Sequence, residues 1–554
     1  MWRRRLRLLV PVVVIAVVAV AVVLILRAGP GRAERQLVTS YVRDWAARDY
    51  NGMYALLDPA SRGDISEAKF AAAYRHDAAT ATVVRLIPLR VGSRRGEYIP
   101  VSMTVATRLF GTLQETLEVP LVGSGSSATV RFSRALLFPG LTGRERLSRR
   151  MSLPPRATLF ASDGTPLAEG PDRTSPLPGV ASEIVGTLGP IPPSQAAAYA
   201  AAGYPPNAHI GMDGLELVFQ AQLAGKPGGV LLAGKRVLGR AAAVPGTNVT
   251  TTINPALEQA AIDALGGNYA GLVAMDPRTG ALLALAGIAY SASQPPGSTM
   301  KMVTSTAALQ AGLVKLSTVF PYSTQAVLDG YTLHNASGED CGGTLLNSFA
   351  VSCNSVFAPL GAKVGGKRLL AMAERFGFNQ PSGIPGALES SIPPASLDSD
   401  LEVGSSAIGQ GQVLATPLEM TEVGATIAMG GKRPVPTLEA NQPPRFTPVA
   451  SAHVASEVQQ MMVAVVQFGT GTAAQIPGIT VAGKTGTAEL QSTTTSNGQS
   501  VANANQLTDA WFVGYAPVGH PRIVVGALFP NQGAGGATAA PSVRQVLVAA
   551  LQGH

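Results

Sequence analysis

The sequence predicts a multidomain, exported protein: a single N-terminal transmembrane helix, a small α+β domain, an elongated connecting domain and a C-terminal α/β domain built on a central antiparallel sheet. Three observations carry this reading. Leu8 to Leu26 is a 19-residue run without a charge, close to the ~20 residues that cross a bilayer as a helix. Residues 33–140 place a helical pattern ahead of alternating strands. Beyond residue 246, two pairs of short apolar runs bracket several helical stretches. At 554 residues the chain has room for several cores, at roughly 150 residues per domain. Its 46% hydrophobic and 14% charged content excludes a disordered, solvating polymer.

The N-terminus is basic, and the rest is nearly neutral. Of the net charge of +8, the leader supplies most, with Arg3, Arg4, Arg5, Arg7, Arg27, Arg32 and Arg35 against Glu34 alone. No nucleic-acid partner is expected from such a distribution. Residues 1–7 read as a cytoplasmic leader and 8–26 as the anchor, because basic flanks stay inside. A cleaved signal peptide is the alternative. The apolar run is long for one, and Arg27 follows at once where small residues would mark a cleavage site. The expected location is the cell membrane, single-pass, with the bulk of the chain extracytoplasmic.

From 33 to 140, Glu34–Leu57 reads as one helix, with Leu37, Val38, Tyr41, Val42 and Trp45 on a shared face. Tyr98–Val122 and Ser127–Phe138 read as strands, with Val101, Met103 and Val105 alternating. No nucleophile constellation stands out there, so a spacer or binding module is the expectation. Residues 141–245 are rich in Gly, Pro and Ala and read as a connecting domain. The last domain, 246–552, opens on a hairpin of Gly271–Met275 and Ala281–Ala286 around Asp276-Pro277-Arg278-Thr279-Gly280. Ala510–Tyr515 and Ile523–Phe529 repeat the pattern, and Gln491–Gln506 reads as a mobile polar loop.

Chemistry concentrates in three segments of this last domain. Pro295-Pro296-Gly297-Ser298-Thr299-Met300-Lys301 opens a helical stretch to about Gly312. Ser298 and Lys301, three residues apart, share a face. The free N–H groups and partial positive charge of a helix start favour an alkoxide and a depressed lysine pKa. Ser66-Glu67-Ala68-Lys69 has the same spacing and reads as chance on a solvated surface. What distinguishes Ser298 is company: Ser352-Cys353-Asn354, then Lys484-Thr485-Gly486-Thr487 after the apolar run Ile479–Ala482. Alone, that last segment reads as a lysine at a strand end before a glycine turn. Two cysteines exclude multi-cysteine metal sites, and the six His form no His-Glu-x-x-His. No metal and no cofactor are expected. Cys341 and Cys353 are candidates for a disulfide in an oxidising compartment; two buried free thiols are the alternative.

The ordered trio resembles that of the class B penicillin-binding proteins, monofunctional peptidoglycan D,D-transpeptidases. Ala274-Met275-Asp276-Pro277, Gly409-Gln410-Gly411 with Thr416-Pro417-Leu418, and Ala510-Trp511-Phe512-Val513-Gly514-Tyr515 resemble further stretches of that family's penicillin-binding, serine β-lactamase-like domain. Thr251-Thr252-Ile253-Asn254-Pro255 with Leu257-Glu258-Gln259 resembles its lead-in, with Asn254 where Asp is frequent. Gly211-Met212-Asp213-Gly214-Leu215-Glu216 resembles the dimerisation or pedestal domain, and the unit ending at Phe138-Pro139-Gly140-Leu141 resembles the nuclear-transport-factor-like extension of the methicillin-resistance type. One departure is that Arg156-Ala157 and Ala161-Ser162 stand where the family has Arg-Gly and Asp-Arg. The resemblance implies Ser298 as acylated nucleophile, Lys301 as general base, and Ser352 and Asn354 as proton relay and substrate-amide ligand. It implies Lys484, Thr485 and Thr487 as ligands of the terminal carboxylate, with Gly486 leaving room for substrate. The N–H groups of Ser298 and Thr487 would form the oxyanion hole. Substrates would be peptidoglycan stem peptides, β-lactams covalent inhibitors, and a membrane glycan polymerase a partner.

Other readings share parts of this pattern. A class A β-lactamase needs a Glu after the second motif; Glu374 and Glu389 lie in that interval, but neither opens a Glu-x-x-x-Asn pattern. A D,D-carboxypeptidase uses the same nucleophile machinery. A non-catalytic β-lactam sensor or a cell-wall-complex scaffold is the alternative of another class, and complete motifs argue against it.

Overall fold

The structure, a computed structural model, describes residues 31–489 and 508–552. The anchor expected at 8–26 and the polar loop Gln491–Gln506 lie outside the described residues. Among the described residues no helix is long and apolar enough to cross a membrane. The chain forms two compact units. One takes the chain up to Pro155 with Pro190–His209 and Ala224–Gly246; the other takes Arg156–Gly189, Ile210–Leu223 and everything from Thr247.

In the first unit four helices, α1 Arg32–Ala46, α2 Tyr50–Ala55, α3 Pro59–Asp64 and α4 Glu67–Thr80, precede a sheet of β1 Val83–Val91, β2 Tyr98–Thr107, β3 Thr112–Val122 and β4 Thr129–Val130 in sequential order. Val38, Tyr41, Val42 and Trp45 of α1 are buried, as their spacing requires. The helix does not continue to Leu57. Arg48 turns left-handed at φ 62, and the Asp49 carboxylate caps α2 by accepting from Gly52 N at 2.9 Å. On β2, Ile99, Val101, Met103 and Val105 all face the core. The strand expected over Ser127–Phe138 shrinks to β4, and Arg134–Leu137 is a 3₁₀ turn. Leu136, Leu137 and Phe138 are buried consecutively, which a strand of period two cannot achieve against one core. Leu147–Ser152 pairs antiparallel with Gly228–Ala233, whose Leu231 and Ala233 join the same core.

The second unit is built on a five-stranded antiparallel sheet. Its elements are α5 Pro255–Leu265, β5 Gly271–Asp276, β6 Ala281–Gly287, α6 Lys301–Gln310, α7 Leu345–Ala350, α8 Asn354–Val364, α9 Pro417–Ala428, α10 Ala452–Gln467, β7 Ala482–Glu489, β8 Thr508–Ala516, β9 Ile523–Phe529 and α11 Ala539–Gln552. The strand order is β6-β5-β9-β8-β7. Every residue of β8 and β9 is buried, so this sheet is covered on both faces. Trp511, Val513 and Tyr515 pack with the cluster holding α6, α9 and α10. Ala510, Phe512 and Ala516 pack with α5 and α11. The hairpin turn closes through Gly280 N donating to Asp276 O at 2.9 Å, with Gly280 at φ 80, where a side chain is disfavoured.

The departure at Arg156-Ala157 leaves a buried charge cluster in place. Glu216, fully buried, accepts from Arg156 Nε at 2.5 Å and from Arg173 Nε at 2.6 Å. Arg173 holds Ala157 O as well, at 2.9 Å. Removing the central acid strands two buried guanidiniums. Glu216→Ala is therefore expected to destabilise this unit by about 3–5 kcal/mol, read as a fall in its denaturant midpoint; a midpoint unchanged within error would refute the triad's structural role.

Candidate active site

The segment before α6 is a 3₁₀ turn, Gly297–Met300, and α6 proper starts at Lys301. Ser298 stays partly exposed on this turn while Lys301 is wholly buried. Gly297 sits at φ 51, and a Cβ there would lie 2.8 Å from Thr487 O. The turn is thus pressed against β7. A Cβ on Gly486 would lie 2.7 Å from Pro296 O and 2.8 Å from Trp511 Cβ. Gly486 is therefore glycine at least in part to admit the serine turn, a packing reason that the sequence reading did not include. Nor does it begin a turn: Lys484, Thr485, Gly486 and Thr487 all lie within β7, the edge of the sheet. Trp511 Nε1 donates to Pro295 O at 2.9 Å and Gly297 N to Gly409 O at 2.9 Å, so β8 and the Gly409-Gln410-Gly411 loop hold the turn from two sides.

Ser352 lies between α7 and α8 at φ 63, a left-handed conformation that is rare for a residue with a side chain and costs about 1–3 kcal/mol. Its position lets two lysines reach it. Lys301 Nζ donates to Ser352 O at 2.7 Å and lies 3.3 Å from Ser352 Oγ. Lys484 Nζ donates to Ser352 Oγ at 2.8 Å and to Thr485 O at 2.9 Å. Asn354 Oδ1 accepts from Lys301 Nζ at 2.7 Å, and Asn354 Nδ2 donates to His334 O at 3.1 Å. All three motifs therefore meet. Ser66 and Lys69, by contrast, are both exposed at the start of α4.

Burial holds both lysines below their usual range. For Lys301 burial comes first and the Lys484 charge second; Lys484 is brought down to about 7 by burial. Each ammonium also faces a ring, Lys301 over Phe357 and Lys484 over Phe349, both at 5.4 Å. Among the described residues the Ser298 hydroxyl makes no hydrogen bond. Thr485 Oγ1 meets Thr470 Oγ1 at 2.5 Å, and Gly535 N donates to Thr487 Oγ1 at 3.4 Å.

Two features anchor the second motif. Cys341 and Cys353 form a disulfide with Cα atoms 5.8 Å apart, tying the strand Cys341–Thr344 to the residue after Ser352. Asn335, unnoticed in the sequence, is buried and clamps the same corner. Its Nδ2 donates to Ser323 O at 2.7 Å and Glu339 O at 2.8 Å, and its Oδ1 accepts from Ser355 N at 2.7 Å. Its only sequence signal is an Asn in a polar loop, which is the commonest place for one. Among the described residues no group of three His, Cys, Asp or Glu is placed to hold a metal.

The depressed lysine pKa sets a stability trend. Unfolded lysine titrates near ~10.4, whereas folded Lys484 does so at about 7. Between these values the unfolded chain holds the extra proton, so stability rises with pH by up to about 1.4 kcal/mol per unit. Glu419 and Glu422, both held up by burial, give the opposite trend, but they do so in wild type and in a Lys484 variant alike. Denaturant midpoints at about pH 8.5 and 9.5 are expected to climb more steeply in wild type than in Lys484→Met. Equal slopes would mean that Lys484 is an ordinary lysine.

The geometry agrees with what known proteins offer. Residues 270–548 match the penicillin binding protein transpeptidase domain, and residues 152–250 the penicillin-binding protein dimerisation domain. The peptidoglycan D,D-transpeptidase PbpA of Mycolicibacterium smegmatis is 32% identical over 369 residues, covering 55% of this chain and 73% of that one. Its counterpart in Mycobacterium tuberculosis is 32% identical over 374 residues, 56% and 73% respectively. The solved imipenem acyl-enzyme of penicillin-binding protein A from M. tuberculosis superposes with a TM-score of 0.57 at 26% identity, covering 72% of this chain and 99% of that one. A Pseudomonas aeruginosa PBP2 structure in complex with WCK 5153 gives 0.62 at 25% identity, with 73% and 97% covered. With a serine turn, a strained second serine and two buried lysines in one cleft, and a dimerisation domain preceding them, the chain belongs to the class B penicillin-binding proteins.

Proposed function

We propose that the chain is a peptidoglycan D,D-transpeptidase that cross-links stem peptides through an acyl-enzyme on Ser298 and is covalently inhibited by β-lactams. The observation that carries this is the convergence of Lys301 and Lys484 on the Ser352 hydroxyl, 3.3 and 2.8 Å away. Two ammonium groups so close in a buried site cannot both stay charged. Lys301, depressed by burial and by its neighbour, is the neutral member. Its two short bonds to Ser352 O and Asn354 Oδ1 use both hydrogens of a neutral amine and leave its lone pair to accept a proton. Lys484 carries the remaining charge, placed for a substrate carboxylate beside Thr485 and Thr487.

In the first step the Ser298 proton passes to Lys301 Nζ, and Oγ bonds to the carbonyl carbon of the penultimate D-Ala. The N–H groups of Ser298 and Thr487 receive the oxyanion, at typically ~3 kcal/mol per donor. The C–N bond then breaks as Ser352 passes its proton to the departing D-Ala amine and takes back the one held by Lys301 Nζ, 3.3 Å away. In the second step an amine of a neighbouring stem peptide attacks the ester and loses its proton to Lys301; the C–Oγ bond breaks as that proton returns to Ser298 Oγ and the new amide is left. Substrate lies along β7 by strand addition, since that strand is an open edge. Asn354 supports the base and contributes to the substrate-amide site.

Around this centre we place the remaining parts on chemistry alone. The N-terminal unit, with helices α1–α4 ahead of the sheet β1–β4, is of the nuclear-transport-factor-like kind, supported by that order of elements. The 8–26 run is a membrane anchor, supported by its length and basic flank, so the enzyme works outside the membrane. A membrane glycan polymerase supplying nascent strands is its proposed partner.

Ser298→Ala is expected to abolish labelling by fluorescent penicillin, and retained labelling would refute the nucleophile. Lys301→Met is expected to slow acylation at least ~100-fold with a melting temperature at or above wild type, since a buried amine is removed; stopped-flow acylation at wild-type rate would refute its role as base. Product analysis with a stem peptide, with and without an amine acceptor, should give cross-linked peptide in the first case. Release of trimmed monomer in both would point to a carboxypeptidase instead.

A further inference from the structure

The first compact unit holds none of the three motifs, yet it contains a large, one-signed cavity. Its volume is about 970 Å³, and it is lined by Arg48, Arg75, His76, Arg108 and Arg149 together with Tyr50. These side chains come from separate elements: the turn after α1, helix α4, the β2–β3 connection and the strand Leu147–Ser152. No carboxylate lines the cavity. Among the described residues none of these four arginines takes part in an ion pair. The acids beside them in sequence are committed elsewhere. Asp44 pairs with Arg43, Asp49 caps α2 through Gly52 N, and Asp77 is buried and does not line the cavity.

The arginines are also held in place. Arg149 is partly buried and donates to Ala200 O at 2.7 Å and Thr80 O at 3.5 Å, which leaves most of its five N–H groups free. Arg75 stacks over the Tyr50 ring at 5.3 Å. Four guanidiniums sharing one cavity repel one another unless an anion joins them. Their planar forks match the oxygens of phosphate bidentately. A cavity of this volume exceeds the needs of one small ion and fits a ligand with several charges.

We propose that this cavity is a binding site for phosphate-bearing anions larger than inorganic phosphate, taken from a soluble phosphate polymer or from a phospholipid headgroup. The four arginines supply the charge, Tyr50 fixes Arg75, and the backbone carbonyls of Thr80 and Ala200 fix Arg149. Binding here is independent of Ser298 acylation, because no motif residue belongs to this unit.

The test uses the full chain in mild detergent at low and moderate salt. Isothermal titration with inorganic tripolyphosphate and with dihexanoyl phosphatidylglycerol separates the two sources. Arg75→Gln combined with Arg108→Gln changes two exposed positions, so the fold is expected to survive, and fluorescent-penicillin labelling should stay at wild-type level. Tripolyphosphate affinity should fall at least tenfold in that variant, and again in Arg149→Gln. Loss confined to the phosphatidylglycerol arm would support the same site with the headgroup as its ligand. Equal binding of both probes by wild type and variants would overturn the proposal. So would a tetraglutamate peptide binding wild type as tightly as tripolyphosphate, since that would make the site a sink for any anion.

Discussion

Everything in the catalytic unit turns on two buried lysine nitrogens sharing one serine hydroxyl. Lys301 and Lys484 are both fully buried, and each approaches Ser352 Oγ from a different element, α6 and β7. In water such a pair would be unremarkable, because two charges ~4 Å apart interact by only about 1 kcal/mol. Burial changes the outcome. It penalises each charge singly and both charges together far more, so one site ends up neutral and basic while the other keeps a cation. The division of labour proposed for them, base and carboxylate ligand, would follow from that asymmetry rather than from any difference between the two side chains.

Holding these nitrogens requires three chain segments to approach at backbone distance, and glycine is what permits it. Gly297 on the serine turn, Gly486 on β7 and Gly409 on the adjoining loop each face backbone or side-chain atoms where a Cβ would collide. Such contacts form a rigid stack: loop against turn, turn against strand, strand against Trp511 on β8. The strained Ser352 conformation is maintained from the opposite side, by the Cys341–Cys353 bond and the Asn335 clamp. Backbone strain of this kind persists only where the surroundings over-determine it, and here covalent and hydrogen-bonded restraints act on adjacent residues.

This explains what could be read from the chain and what could not. Ser298, Lys301, Ser352, Asn354 and Lys484 were legible because each belongs to a short segment of unusual composition, and the hairpins because Asp276-Pro277 and Gly280 announce a turn. Asn335, Thr470 and the Glu216 triad were not, because their signal is purely tertiary. Asn335 reaches residues at positions 323, 339 and 355, and Thr470 meets Thr485 across two elements. The packing constraint on Gly486 was hidden for the same reason, since its neighbour Pro296 is remote in sequence. In the first unit, Ser127–Phe138 was read as strand from partial alternation, whereas the successive burial of Leu136, Leu137 and Phe138 against one core takes a tight turn.

A buried lysine pair also dictates how large the surrounding fold must be. Desolvating even one amine is unfavourable at neutral pH, and folded Lys484, titrating at about 7, contributes a deficit of several kcal/mol relative to its unfolded value at ~10.4. That deficit must be offset by apolar burial nearby. The sheet supplies it by being covered on both faces, with β8 and β9 buried along their whole length. Phe349 and Phe357, on the two helices that flank Ser352, do double work: they fill the core beneath the motif and present ring faces to the two nitrogens at 5.4 Å. An aromatic face stabilises whichever lysine is protonated by about 0.5–2 kcal/mol without offering a counter-charge that would pin the proton. A carboxylate in that position would hold both lysines cationic and remove the base. Among the described residues, rings rather than acids face the two nitrogens, and the proposed chemistry requires this as much as it requires the lysines themselves.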